Sequence, residues 1–185
     1  YHIILGNHDL NLRNLSRVDA ITPVVEALNH PNIFLHKNTA QVDVGHNCVL
    51  NVLSIIDPEN WEPPISENKI NIALYHGCVS GVTTDTGFVL SHGDISLSEL
   101  MGYDYVLLGD IHKTNQKVDK KGKMRYPGSL IQQNFGESED KGFLLWDIKS
   151  KEEFTCEHYA LENPKPFVTL ELTRQGQLPK NLNLQ

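Results

Sequence analysis

Hydrophobic and polar positions alternate along this chain in short blocks. Residues 2–5 form an apolar run that stops at Gly6, the pattern of a buried strand ending in a turn. Between residues 15 and 28, apolar side chains recur at Leu15, Val18, Ile21, Val24, Val25 and Leu28. That spacing predicts a helix, with Ser16 as a candidate N-cap and Pro23 as either a kink or the true first turn. Strand-like runs follow at 33–35, 40–44 and 48–55, and the proline-rich residues 57–64 read as a loop. A second buried strand, residues 70–75, runs into His76-Gly77. Residues 77–93, rich in Gly, Thr and Ser, read as a long loop or loose hairpin, and residues 96–101 as a short helix. A third buried strand, residues 103–108, ends at Gly109-Asp110-Ile111-His112. Lys120-Lys121-Gly122-Lys123 reads as a hairpin turn, and residues 142–148, 154–159 and 167–172 as strands. The polar residues 173–185, with Pro179, read as a linker toward a further region.

Three apolar strands therefore end in polar, His-containing loops: Gly6-Asn7-His8-Asp9, His76-Gly77 and Gly109-Asp110-Ile111-His112. In open α/β sheets, sites form beyond the carboxyl ends of the strands, and loops held by rigid strands position side chains tightly.

Composition narrows the chemistry. The 185 residues suit one domain, and no stretch approaches the ~20 apolar residues of a membrane-spanning helix. The formal net charge of −7 excludes nucleic-acid binding through the overall field, so phosphate handling needs a local basic patch or metal ions. Three widely spaced cysteines, with no C-x-x-C, argue for reduced thiols and a cytoplasmic setting, not a disulfide framework or zinc knuckle. The chain starts without Met or a signal-peptide pattern and reads as a piece of a longer protein.

Asn, His and Asp offer oxygen and nitrogen donors of borderline hardness, a set suited to manganese, iron or zinc more than calcium. Asp110 and His112, one residue apart, share a face of an extended segment, and a turn there brings both to a common site. Asp9 beside His8 is expected to orient the imidazole and raise its basicity. Taken alone, Gly-Asn-His-Asp is also an ordinary turn composition. His2, His30, His36, His46 and His158 read as structural or surface residues, and His92 as a turn residue. Lys113, Lys117, Lys120, Lys121, Lys123 and Arg125 fall in one stretch after His112, either a solvated hairpin or a phosphate-backbone contact.

On these residues the chain resembles the calcineurin-like metallophosphoesterases. Gly6-Asn7-His8-Asp9 is similar to that superfamily's third motif, His76-Gly77 to its fourth and Gly109-Asp110-Ile111-His112 to its fifth. The stretches 105–113 and 126–137, together with Val79-Ser80-Gly81 and Gly142-Phe143, more narrowly resemble the SbcD-type nuclease subunits of DNA repair complexes, in particular phage and viral ones. The resemblance covers residues 1–172, read as a partial domain. Two departures stand out. The family's opening motifs do not precede Gly6, and Asp110 stands where His is usual.

The resemblance implies an α/β fold of two mixed sheets packed as a sandwich and flanked by helices, of which this chain carries the second half. It implies two divalent ions, manganese first with magnesium as the alternative, that serve phosphodiester hydrolysis on DNA ends. Asn7, His76 and Asp110 would hold one ion and His112 the other. His8, with Asp9, would act on the phosphate or leaving oxygen, and Lys113, Ser129, Gln132 and Gln133 would face the DNA. The implied partners are DNA, an SbcC-like ATPase subunit and a second copy of the full-length protein. Without the upstream motifs, the chain alone is expected to be inactive. Two alternatives remain: a phosphomonoesterase or cyclic-nucleotide phosphodiesterase, which the 128–137 segment disfavours, and a non-catalytic binding scaffold.

Overall fold

The elements follow the apolar runs closely where those runs are buried. The computed structural model describes residues 1–64, 67–172 and 174–177. β1 (His2–Ile4) pairs in parallel with β2 (Phe34–His36), and between them lies α1 (Thr22–Leu28). α1 is shorter than the periodic pattern predicts. It starts at Pro23's turn, not at Ser16, because the Asp19 carboxylate accepts the N–H groups of Ile21 and Thr22 and fixes the chain there. Asn29, in a left-handed conformation, closes it.

The main sheet has six strands. β3 (Ala40–Gly45), β4 (Cys48–Leu53) and β5 (Ile70–His76) come first. β6 (Val82–Thr83) and β7 (Val89–Leu90) then form a separate small hairpin. β8 (Tyr105–Gly109), β9 (Gln116–Lys117) and β10 (Met124–Tyr126) complete the sheet in the order β3-β4-β5-β8-β10-β9. The four inner strands run parallel, and the two edges are antiparallel. Parallel strands covered on both faces read as continuous apolar runs, which is why β5 and β8 are so legible in the sequence.

Successive residues of these strands serve opposite faces. Ala73, Tyr75, Val106, Leu108 and Tyr126 pack beneath Val79, Val82, Ile95 and Leu100 of the segment that links β5 to β8. On the other face Ile70, Ile72 and Tyr105 meet Trp146, Ile148 and Phe154. Those belong to an antiparallel ribbon of β11 (Gly142–Ile148) and β12 (Phe154–Ala160). Tyr105 is fully buried there, edge-on to Trp146 and Phe154. Burial of this kind contributes roughly 1.5–3 kcal/mol per large side chain.

The architecture is α/β with a mixed multi-strand sheet and few helices. Among the described residues the helical content is α1 plus two 3-10 turns, and a two-stranded ribbon packs on one face of the sheet. Residues 167–172, expected as a strand, form none. Phe167, Val168, Leu170 and Leu172 are exposed. Of the expected linker 173–185, Thr173 and residues 178–185, with Pro179, lie outside the described residues. No helix of the described residues is long and apolar enough to cross a membrane. Cys48, Cys78 and Cys156 are free thiols, and burial pushes each of them up from the ordinary thiol range.

Candidate functional site

Three strand ends meet at one point. β5 delivers His76, β8 delivers Gly109 and Asp110, and the turn after β1 delivers Asn7. The Asn7 amide bridges the other two: its Oδ1 lies 3.2 Å from His76 Nε2, and its Nδ2 donates to Asp110 Oδ1 at 3.0 Å. His76 Nε2 and Asp110 Oδ1 are 3.6 Å apart. Local sequence makes this approach sterically permissible. A Cβ on Gly6 would come within 2.7 Å of the His76 ring, and one on Gly109 within 2.8 Å, so the two glycines form a cradle that only the imidazole fills.

Asp110 adopts a φ of 96°, a left-handed conformation that is strained for a side-chain-bearing residue by roughly 1–3 kcal/mol. The His76 imidazole beside Asp110 is the main influence holding its carboxyl below the usual carboxylate range. Burial opposes this shift, and the Asn7 amide and the more distant His112 add to it. A fully buried Tyr126 fixes the chain just past His76, donating its hydroxyl to the Gly77 carbonyl at 2.7 Å and accepting the Val79 N–H at 2.9 Å.

His112 takes a different setting. Its Nδ1 lies 2.8 Å from Glu137 Oε1, and with Asp110, Lys113 and the 84–88 turn it lines a cavity of about 480 Å³. Asn7 and His76 line a neighbouring cavity of about 300 Å³ with Trp61, Tyr75 and Asp94. Asp110 thus stands between the two. The donor chemistry of Asn7 Oδ1, His76 Nε2 and the Asp110 carboxylate fits a divalent cation of borderline hardness, and the glycine cradle presets the imidazole. Among the described residues no group of three or more His, Cys, Asp or Glu gathers to hold a metal.

Other expected residues are placed otherwise. His8 is exposed in the turn after Asn7, but Asp9 does not orient it. The Asp9 carboxylate accepts the Gly6 N–H at 2.8 Å and closes the turn, and among the described residues no hydrogen bond joins the pair. Lys113 donates to Thr83 Oγ1 at 2.7 Å while lining the His112 cavity. Ser129 and the backbone of Gln133 turn toward Glu137 Oε2 at 3.4 and 3.0 Å. Gln132 is buried, donating to the Glu137 carbonyl and accepting the Phe167 N–H, so it builds the loop and is closed to a ligand.

The basic stretch also divides. Lys123 and Arg125 are buried. Lys123 bonds the Lys151 carbonyl and pairs with Glu152, while Arg125 bonds Gly122 and Asn115 and lies over Trp146. Their charge is used inside the fold.

Glu137 and Lys141 carry no role that the sequence predicts. Glu137 closes the 126–137 stretch that carries the family resemblance, and Lys141 follows four residues later, but nothing in their spacing marks them as buried. Lys141 is 1% exposed and bonds Asp85 Oδ2 at 2.5 Å and the His112 carbonyl at 2.6 Å. Burial pushes the Glu137 carboxyl up, but the Gln133 N–H, His112 and Lys141 outweigh it and hold the group below its ordinary range.

No protein-family model matches the chain. It is 37% identical over 188 residues to "Uncharacterized protein R555" of Acanthamoeba polyphaga mimivirus, an alignment covering 95% of this chain and 14% of that protein. It is 31% identical over 159 residues to "Putative phosphoesterase 244L" of Invertebrate iridescent virus 6, covering 78% of this chain and 50% of that protein. The chain therefore spans half or less of the length of these relatives, and it is similar to a viral protein that bears a phosphoesterase name.

Proposed function

We propose that this chain contributes one side of a metal-dependent phosphodiesterase centre that cleaves DNA at its ends. The observation that carries the reading is the meeting of Asn7, His76 and Asp110 at the carboxyl ends of strands, within 3.6 Å of one another. The similarity to a phosphoesterase-named protein and the resemblance of residues 105–113 and 126–137 to SbcD-type subunits support it.

Asn7, His76 and Asp110 would hold one divalent ion, manganese in the first instance, and His112 through its Nε2 would contribute to a second. Bound there, such ions supply Lewis-acid polarisation of the phosphate and lower the pKa of water. The residues of the chain do the remaining work. Asp110 brings a fixed negative charge to the centre. The Asn7 Nδ2 donates to Asp110 Oδ1 and holds that carboxylate in register. His8, exposed beside Asn7, would pass a proton to the leaving oxygen. DNA, an SbcC-like ATPase and a second copy are the partners this reading assigns to the whole protein, in the cytoplasm.

The test is hydrolysis of a linear DNA duplex and of bis(p-nitrophenyl) phosphate by the intact protein, with and without manganese. Manganese-dependent cleavage of both, lost in Asn7→Ala and His76→Ala, is the expected result. Folded protein that binds manganese but hydrolyses neither substrate would favour the scaffold reading instead.

A further inference from the structure

The His112 ring and its carbonyl are gripped by two different buried side chains. Glu137 Oε1 lies 2.8 Å from Nδ1, and Lys141 Nζ lies 2.6 Å from the backbone oxygen. The Glu137 side chain is 5% exposed and the Lys141 side chain 1%. We infer that Glu137, held in place by Lys141, is a positioning residue that fixes His112 as its Nδ1–H tautomer and leaves Nε2 as the unprotonated nitrogen.

The argument is one of donor and acceptor capacity. An ionised carboxylate only accepts hydrogen bonds, so the contact with His112 requires the proton on Nδ1. A neutral imidazole has a single N–H, and spending it on Glu137 leaves a lone pair on Nε2. The carboxylate is not free to turn away. Its Oε1 also accepts Asn134 Nδ2 at 2.9 Å. Its Oε2 accepts the Gln133 N–H at 3.0 Å, with Ser129 Oγ and Lys141 Nζ each 3.4 Å away. Lys141 in turn is anchored by Asp85 Oδ2 at 2.5 Å, which ties in the 84–88 turn that lines the same cavity as His112. One ammonium thus faces two carboxylates, and the excess negative charge beside the ring favours a cation at Nε2. A carboxylate behind a histidine is the usual means of setting both tautomer and ring orientation toward a metal.

What Nε2 binds rests on the metal-dependent reading above, whereas the tautomer itself does not, and the experiment separates the two. Histidine labelled with ¹³C and ¹⁵N is incorporated into the protein, and long-range proton–nitrogen correlations are recorded at about pH 8, where an ordinary imidazole is neutral. His112→Gln assigns the signal. The expected result is a protonated Nδ1 and a bare Nε2 at His112. In Glu137→Gln, whose amide can donate as well as accept, population of the Nε2–H form should appear. Manganese affinity by calorimetry should weaken about 10–100-fold. A wild-type His112 carrying its proton on Nε2 overturns the inference without recourse to any variant, and so does a tautomer unchanged in a folded Glu137→Gln protein. If His112 is Nδ1–H and manganese does not bind, the positioning role stands and the metal-dependent function falls.

Discussion

His76 stands directly opposite Gly109 across the parallel β5–β8 pair, and its imidazole occupies the space that a side chain at residue 109 would need. The same ring covers Gly6 at the end of β1. Two glycines that look in the sequence like simple strand stops are therefore the floor of the candidate site.

Gly109→Ala tests that relationship. The new methyl would lie 2.8 Å from His76 Nδ1, too close for contact, so the ring or the strand must move. Overpacking of this kind costs about 1–3 kcal/mol. We expect lower stability in urea together with weaker manganese binding by calorimetry. An unshifted His76 ring signal in the variant would show that the cradle is not tight.

His8→Ala in the intact protein separates proton transfer from ligation. His8 is exposed, so folding stability should stay within about 0.5 kcal/mol of wild type. Turnover should fall ~10²–10⁴-fold, with the manganese titration unchanged. Loss of metal binding would make His8 a ligand.

Asp110→His exchanges a carboxylate oxygen for an imidazole nitrogen in a position whose φ is 96°. A softer, less charged site should favour manganese over magnesium. The ratio of activities with the two ions should rise in the variant, and equal ratios would show that residue 110 does not tune the metal.

Lys141→Met removes the ammonium and leaves the Glu137 side chain, 5% exposed, and the partly buried Asp85 without it. Breaking a buried pair in this way costs about 3–5 kcal/mol. Equilibrium urea unfolding should report a loss of that order. A loss below 1 kcal/mol would mean that water already shares the site.

Asp19 predicts the acid limb of stability. Burial pushes its carboxyl up, but Lys37, the Thr22 side chain and the N–H groups of Thr22 and Ile21 outweigh it, so the group lies far below the usual carboxylate range. Its folded pKa is lower than its unfolded value of ~3.9. The stability it contributes is therefore complete well above pH 4 and is lost as pH falls below that value. Asp19→Asn should be less stable at neutral pH and should show a shallower stability decline below about pH 4.

Much of the frame was legible because burial on both faces leaves a continuous apolar run. Residues 70–75 and 103–108 read as buried strands, and the polar residues after them, His76 and Asp110, meet Asn7 in the candidate site. Of the two starts that the spacing allows for α1, the Asp19 carboxylate selects the one at Pro23, through hydrogen bonds that hydrophobic spacing does not register. Residues 167–172 form no strand, and alternation alone does not supply the backbone partners a strand requires.

By itself, the sequence determined which residue types stand at the ends of the inner strands, since a run of apolar side chains must end where the backbone leaves the core. Only the tertiary structure decided how those ends are used. It placed Asn7 between His76 and Asp110, turned His112 away onto Glu137, and buried Gln132, which the resemblance implies faces DNA, and Lys123 and Arg125 of the basic stretch. The physical reason is that a charged or amide side chain is interior whenever partners satisfy it. Those partners, such as Asp85 for Lys141, come from segments far apart in the chain.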